Sequence, residues 1–232
     1  MQKKWLLLSL TLPLLGSNII SLQYKGVEAE IEGSNGDKRL LTIEREIDPA
    51  CLNVPIDDET IWQGKYAASD VPNVCKAEFV SSVGQIQPMR IDPEVETFGE
   101  LEVLDFIEKM QKNSEMLLID SRSEDFYSKR TIPGAVNLAH IYLSEPNTFP
   151  EEYLKALAQL GVKIENKVYR FDNVKTIAVF CNASWCAQSP QMIKSLLKIG
   201  YPPSKIKWYR GGMQDWLALN MTSRSNHQAK QR

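Results

Sequence analysis

Two cysteines in one short segment, Cys181 and Cys186, are the residues whose types and spacing point most directly to chemistry in this 232-residue chain. Cys181 follows an apolar run, residues 176–180, and precedes a helical pattern, so it is predicted to end a buried strand. Ligands of open α/β sheets bind at that edge, and amide groups at a following helix N-terminus favour an anion there. We therefore predict a reactive thiolate at Cys181; the alternative is a cysteine that only packs.

The loop after Cys181 is predicted to hold its sulfur. It contains no Lys or Arg, so neutral N–H groups must do so, and the pKa of Cys181 should fall less than beside a cation. A dianionic donor such as thiosulfate is disfavoured for the same reason. The predicted substrate-binding residues are Asn182, Ala183, Ser184, Trp185, Ala187 and Gln188.

Cys186 lies in this loop and has two interpretations. It could be a resolving thiol that attacks an oxidised or sulfurated Cys181 and closes a disulfide. It could equally be a small loop residue that faces the core. Trp185, beside it, could shield the pocket or simply pack.

The hydrophobic pattern around these residues predicts an α/β fold from Thr97 onward. Apolar runs at strand length alternate with stripes at helical spacing, which favours a parallel sheet with helices on both faces. The predicted strands cover residues 116–120, 176–180 and 206–209, and the predicted helices cover 101–110, 151–160, 189–199 and 212–216.

Several motifs in this part of the chain resemble the rhodanese family. The sequence LLIDSR at 117–122 resembles its first strand and Asp-x-Arg signature, and TIPGAVN at 131–137 resembles its His-Ile-Pro-Gly-Ala-x-Asn element with Thr131 in place of the histidine. Cys181 falls where that family places its persulfide cysteine. LLKIGY at 196–201 matches the helix end that follows, and YRGGMQDW at 209–216 is similar to the closing Gly-Gly-x-x-x-Trp motif.

This resemblance implies a rhodanese-like parallel sheet flanked by helices over residues 97–220. It implies a sulfurtransferase whose cysteine, Cys181, accepts a sulfane sulfur as a persulfide and passes it to a nucleophile, with no cofactor and no metal. The expected partners are a small sulfur donor and a thiol or protein acceptor. The structural motif residues would be Asp120 and Arg122, together with Gly211, Gly212 and Trp216. Asp120 and Arg122 are expected to form an ion pair that joins strand and loop; the alternative is that they are catalytic groups.

The loop departs from the family pattern, and this keeps other functions open. It is longer than usual, like that of related phosphatases and arsenate reductases, but Ala187 stands where their arginine would be needed, so hydrolysis of phosphate esters is not expected. One alternative is a thiol redox protein that cycles a Cys181–Cys186 disulfide. Another is a non-catalytic rhodanese module that binds a partner protein.

Residues 1–22 have the pattern of a signal peptide. Lys3 and Lys4 precede an apolar run, residues 5–15, of secretory length. An exported protein, periplasmic or secreted, is therefore expected; an uncleaved anchor or a buried helix is the alternative. The net charge of −2 gives no reason to expect nucleic acid or, after signal cleavage, a membrane as a partner.

Residues 23–96 are predicted to form a small N-terminal region. Alternating segments at 27–31 and 40–47 flank a glycine-containing turn, which indicates a β-hairpin. Cys51 and Cys75 lie in a turn-rich stretch where a disulfide would supply order; a zinc site formed by the four cysteines is the alternative. Residues 221–232 are polar and basic and are predicted to form a disordered tail.

Overall fold

The computed structural model describes residues 26–32, 36–44 and 85–225. The predicted signal peptide and the predicted Cys51–Cys75 disulfide lie outside these residues, so both stay predictions. The described strands are β1 (Val27–Glu32), β2 (Lys38–Ile43), β3 (Glu96–Phe98), β4 (Met116–Asp120), β5 (Val136–Asn137), β6 (Lys163–Glu165), β7 (Val168–Arg170), β8 (Thr176–Phe180) and β9 (Ile206–Tyr209). The described helices are α1 (Glu100–Met110), α2 (Glu124–Lys129), α3 (Ile141–Ser144), α4 (Pro150–Gln159), α5 (Gln188–Ile199) and α6 (Gly212–Ala218).

A five-stranded parallel sheet in the order β3-β9-β8-β4-β5 forms the centre of the molecule. Its middle strands, β8 and β4, are buried apolar runs, as expected for a parallel sheet covered on both faces. The predicted α/β class and parallel sheet are confirmed. Strands β3, β5, β6 and β7 and helices α2 and α3 were not predicted, because they are short and carry little periodic signal.

Helices cover the two faces of the sheet because successive strand residues point to opposite sides. Leu118 and Phe180 belong to a core shared with α1 and α6. Ile119 and Val179, each one position away, belong to a core shared with α3, α4 and α5. Trp208 of β9 lies in this second core, on the same side as α5.

The predicted hairpin is present, with β1 and β2 paired antiparallel from Val27↔Ile43 to Glu32↔Lys38. Its buried residues share the core of α1 and α6 and do not form a core of their own. A two-stranded hairpin is marginal in isolation, so it gains its stability by packing against α1. The sequence placed it in a separate region because the long turn-rich stretch after it carries no core pattern.

Residues 221–225, which the sequence placed in a disordered tail, are held against the rest of the chain. Met221 and Thr222 are buried, Glu44 donates its backbone N–H to the Thr222 hydroxyl, and Thr131 and Arg224 form a β-bridge. A polar sequence can be held in this way by backbone and hydroxyl hydrogen bonds, which composition does not reveal. Residues 226–232 lie outside the described part of the chain. No helix among the described residues is long and apolar enough to cross a membrane.

Candidate active site

Cys181 lies at the carboxyl edge of the sheet, where β4 and β8 end side by side. Asp120 is paired with Phe180 in the parallel register, and Phe180 is paired with Tyr209 of β9. Ser121 continues the register one residue further, since both its backbone N–H and its hydroxyl donate to the Phe180 carbonyl. The thiol is therefore placed at the strand end that the sequence predicted.

The sulfur of Cys181 is directed toward the covered face of the sheet. The residue is 2% exposed, and the Ser189 hydroxyl in the first turn of α5 donates to its Sγ at 3.1 Å. Ser189 in turn accepts a hydrogen bond from the indole Nε1 of Trp208 at 3.0 Å. We call Cys181, Ser189 and Trp208 the floor of the site.

Burial raises the pKa of Cys181 well above the ordinary thiol value, and the neighbouring Cys186 raises it further. Hydrogen bonds from Ser189 oppose this change. The direction is opposite to the lowered pKa predicted from the sequence. The reason is that the strand end is covered by α5 and the loop, so loss of water outweighs the donors that remain.

Cys186 has a different environment, although it belongs to the same loop. Its Sγ lies 4.0 Å from the side-chain amide nitrogen Nδ2 of Asn182 and 3.7 Å from Gln188 Oε1. The pKa of Cys186 is lowered to about 6, first by a hydrogen bond from the Cys181 thiol and then by backbone groups of Asn182, Gln188 and Ala183. The amides that the sequence assigned to Cys181 thus act on Cys186. We call Asn182, Cys186 and Gln188 the rim.

The loop is fixed from the α6 side by close backbone contact. The N–H groups of Met213 and Gln214 donate to the carbonyls of Cys181 and Asn182 at 3.1 and 2.8 Å. A Cβ on Gly212 would stand 2.5 Å from the Cys181 carbonyl oxygen, and Gly212 has a φ of +59°. The Gly211-Gly212 motif therefore permits this approach, and Trp216 is buried with its Nε1 donating to the Thr222 carbonyl at 2.7 Å.

The other side of the loop is held by a segment that the sequence left unexplained. Gln85 and Gln87 donate their backbone N–H groups to the carbonyls of Trp185 and Ser184, both at 2.9 Å. Arg210 donates to the Gln87 carbonyl at 3.0 Å, which ties this segment to the end of β9. The Trp185 indole donates to Gln214 Oε1 at 2.7 Å.

Asp120 and Arg122 form the buried ion pair that the resemblance implied. Arg122 donates to both carboxylate oxygens, at 2.9 and 2.6 Å, and Thr131 donates its hydroxyl to the same carboxylate at 2.8 Å. Thr131 thus replaces the family's histidine with a hydroxyl donor. Arg122 also reaches the loop through Asn182 Oδ1 at 3.4 Å. Because its charge is matched by Asp120, it supplies no free cation for an anionic substrate.

The remaining predicted loop residues have structural positions. Ala183 is buried, and its carbonyl accepts the Cys186 N–H at 2.9 Å, which closes the turn. Ala187 is the N-cap of α5 and has no side-chain donor or acceptor. Sequence reasoning missed Ser189 and Trp208, although a serine in the first turn after a cysteine loop could have been considered. Nothing in the apolar pattern of β9 indicates that the Trp208 side chain contacts Ser189.

A cavity of about 730 Å³ lies away from the two thiols, beside the hairpin. Its lining includes Glu28, Glu30, Glu32, Tyr127 and Arg224. It holds no cysteine, and we assign the chemistry to the loop because the thiols and their donors are there.

The family model of the rhodanese-like domain matches residues 103–219. Among solved structures, the chain is similar to a thiosulfate sulfurtransferase from Pseudomonas aeruginosa, with 17% identity, a TM-score of 0.36, and coverage of 57% of this chain and 20% of that one. A human single-domain sulfurtransferase has 20% identity, a TM-score of 0.34, and coverage of 55% and 97%. An uncharacterised protein from Saccharomyces cerevisiae has 22% identity, a TM-score of 0.38, and coverage of 53% and 92%. No curated protein matches the sequence.

Proposed function

The chain belongs to the rhodanese-like family, and from this premise and the two-thiol loop we propose that it transfers sulfane sulfur, with Cys181 as the residue that carries it. The observation that carries the proposal is the pairing of two unlike thiols at the strand end. One thiol has a raised pKa and lies among buried donors; the other has a pKa of about 6 and lies among loop amides. A cysteine kept only for packing would not need such a partner.

In the proposed loading step, the Cys186 thiolate acts as the base. Cys181 attacks the sulfane sulfur of a persulfide donor, R–S–SH, and its proton passes to Cys186. A bond forms between the Cys181 sulfur and the transferred sulfur, while the donor's S–S bond breaks and R–S⁻ leaves with the electron pair. In discharge, an acceptor thiolate takes the outer sulfur, and Cys181 leaves as a thiolate that recovers the proton from Cys186.

The donor class follows from the charge of the site. No Lys or Arg occurs from Asn182 to Gln188, and Arg122 is already paired with Asp120. A compact dianion such as thiosulfate would enter without a compensating charge, whereas a thiol persulfide carries at most one charge on its sulfur and a polysulfide spreads its charge along a chain of sulfur atoms. We propose polysulfides or thiol persulfides as donors, and an exported location as suggested by residues 1–22.

The proposal is tested by intact mass spectrometry after incubation with polysulfide and, separately, with thiosulfate. Wild-type protein should gain the mass of one sulfur atom from polysulfide and less from thiosulfate. Cys181→Ser should abolish the gain, and Cys186→Ser should slow it at pH 7 without abolishing it. A gain that persists in Cys181→Ser would contradict the assignment of the carrier, and no gain in the wild type would contradict sulfur transfer.

A second candidate function is thiol redox cycling, favoured by the proximity of the two cysteines: the Cys181 thiol donates to the Cys186 carbonyl at 3.6 Å, and each thiol shifts the pKa of the other. Cys186 would attack a Cys181 persulfide, form the Cys181–Cys186 disulfide and release hydrosulfide; a dithiol reductant would restore both thiols. Mild oxidation followed by peptide mapping distinguishes the candidates. A reversible Cys181–Cys186 disulfide supports redox cycling, and two free thiols after oxidation contradict it.

A further inference from the structure

The floor of the site holds a serine that neither the family motifs nor the sequence singled out. Ser189 is fully buried, and its hydroxyl lies between two partners: Trp208 Nε1 at 3.0 Å and Cys181 Sγ at 3.1 Å. Trp208 is 1% exposed, so water does not compete for its indole N–H.

The chemistry of these groups fixes the direction of both hydrogen bonds. An indole Nε1–H can only donate, so the Ser189 oxygen must accept from Trp208. The serine has one hydrogen of its own, and the Cys181 sulfur is the other partner within reach. The hydroxyl hydrogen is therefore directed at the sulfur. The bond from Trp208 also polarises the hydroxyl and strengthens its donation.

We infer that Ser189, oriented by Trp208, is the positioning residue that stabilises negative charge on the inner sulfur of Cys181 during sulfur transfer. This inference rests on the proposed function. Charge develops on this atom twice: when Cys181 gives its proton to Cys186 and attacks the donor, and when it leaves as a thiolate during discharge. In the resting persulfide the inner sulfur is neutral. A hydrogen-bond donor directed at the inner sulfur stabilises the two transition states more than it stabilises the persulfide between them, and this difference accelerates both steps.

A neutral donor is needed here because the loop lacks a cation. The rim amides act on Cys186, and Arg122 is matched by Asp120. Of the groups that act on the Cys181 thiol, burial and Cys186 disfavour its thiolate, and Ser189 favours it. Removal of Ser189 therefore leaves the developing charge on a buried sulfur without this donor.

The test measures single-turnover loading from polysulfide and discharge to a small thiol in the full chain. A hydrogen bond to a charged group contributes enough that Ser189→Ala should slow both steps roughly 10- to 100-fold. Trp208→Phe keeps a large ring but removes the donor, and should slow them less, about fivefold. Ser189→Thr, which keeps a hydroxyl, should recover most of the rate.

Ser195→Ala is the matched control, because Ser195 is a half-buried serine of the same helix whose hydroxyl donates to the Gln191 carbonyl at 2.9 Å. Its loading and discharge rates should equal those of the wild type. Near-ultraviolet circular dichroism and thermal unfolding establish that each variant is folded before its rates are compared. Folded Ser189→Ala protein with wild-type rates in both steps would overturn the inference.

A second measurement separates this inference from the proposed function. In the Cys186→Ser background, the pH profile for alkylation of Cys181 by iodoacetamide should move to higher pH when Ser189→Ala is added, because the thiolate loses its donor. This profile can be measured even if the protein takes up no sulfur. An unchanged profile overturns the role of Ser189, whereas a shifted profile without sulfur uptake overturns sulfur transfer alone.

Discussion

The floor and the rim of the site each contain one thiol of the same short loop, yet the two thiols have opposite environments. On the floor, Cys181 receives a side-chain hydrogen bond from α5, and burial raises its pKa. On the rim, Cys186 receives loop amides and a hydrogen bond from the other thiol, and its pKa falls to about 6. The comparison suggests a division of work, in which the rim holds the charge before reaction and the floor receives it during reaction.

The largest expected effect comes from the buried ion pair at the end of β4, which contacts the loop through Asn182. Asp120→Ala would leave the Arg122 guanidinium buried without its carboxylate, and breaking a buried pair in this way costs about 3–5 kcal/mol of unfolding free energy. Urea unfolding monitored by tryptophan fluorescence measures the loss. Asp125→Ala, an exposed aspartate on α2, is the control and should change stability by less than about 0.5 kcal/mol.

The rim should be affected more than the floor in Asp120→Ala protein that remains folded. Arg122 contacts Asn182 Oδ1, whereas Ser189 and Trp208 are held by α5 and β9. A loss of stability below about 1 kcal/mol would mean that the pair does not support the loop.

Gly212→Ala tests whether the two regions depend on the same backbone contact. The new Cβ would meet the Cys181 carbonyl at 2.5 Å, at a residue whose φ is +59°. We expect a loss on the order of 3 kcal/mol, from backbone strain plus the steric clash. Differential scanning calorimetry measures the change.

Gly36→Ala is the matched control, because Gly36 has a φ of +80° but, among the described residues, its added Cβ would have no neighbour closer than 3.7 Å. It should lose only the strain part, roughly 1 kcal/mol. Equal losses in the two variants would show that the contact with the Cys181 carbonyl has no energetic consequence.

The residues that prove hardest to predict are those whose role depends on packing between distant segments. The sequence predicted Cys181 at a strand end, since a buried run followed by a helical pattern is a local signal. It could not predict which thiol the loop amides face, because the direction of each N–H depends on the turn closed by Cys186 and Ala183. Nor could it pair Ser189 with Trp208, which are 19 positions apart and brought together only when α5 covers β9.

The hairpin gives the same lesson at the level of the fold. The alternation of apolar and polar residues predicted the hairpin, and both strands are present. Its burial against α1 could not be predicted, because an alternating strand indicates that one face is covered without indicating what covers it. The segment 85–88 is a stronger case: it carries no hydrophobic pattern, and it contacts the loop through its backbone.

The pH dependence of thiol reactivity sharpens the contrast between the two sulfurs. Because the pKa of Cys186 is about 6, a thiolate is present at pH 7, and reaction with iodoacetamide should rise as the pH increases through about 6. Cys186→Ser leaves only Cys181, whose pKa is raised, so the rate at pH 7 should fall roughly tenfold or more and recover in alkaline solution. The reciprocal variant Cys181→Ser, which keeps a hydroxyl donor beside Cys186, should retain reactivity at pH 7. Loss of low-pH reactivity in Cys181→Ser but not in Cys186→Ser would reverse the assignment.

The smallest expected effect concerns Trp185, a loop residue outside the rim. Trp185 is half-buried, and its indole donates to Gln214 Oε1 at 2.7 Å, which links the loop to α6. Trp185→Phe keeps the ring but removes this hydrogen bond, so stability should fall by about 1 kcal/mol or less. Gln214→Ala removes the same bond from the other side, and the double variant should be no less stable than the more affected single variant if the bond is the shared cause.

Neither change touches Ser189 or Trp208, so discharge of the persulfide from Cys181 should keep the wild-type rate. A slower discharge in Trp185→Phe would mean that the outer part of the loop also supports the discharge step, which is here assigned to the floor and to proton return from Cys186.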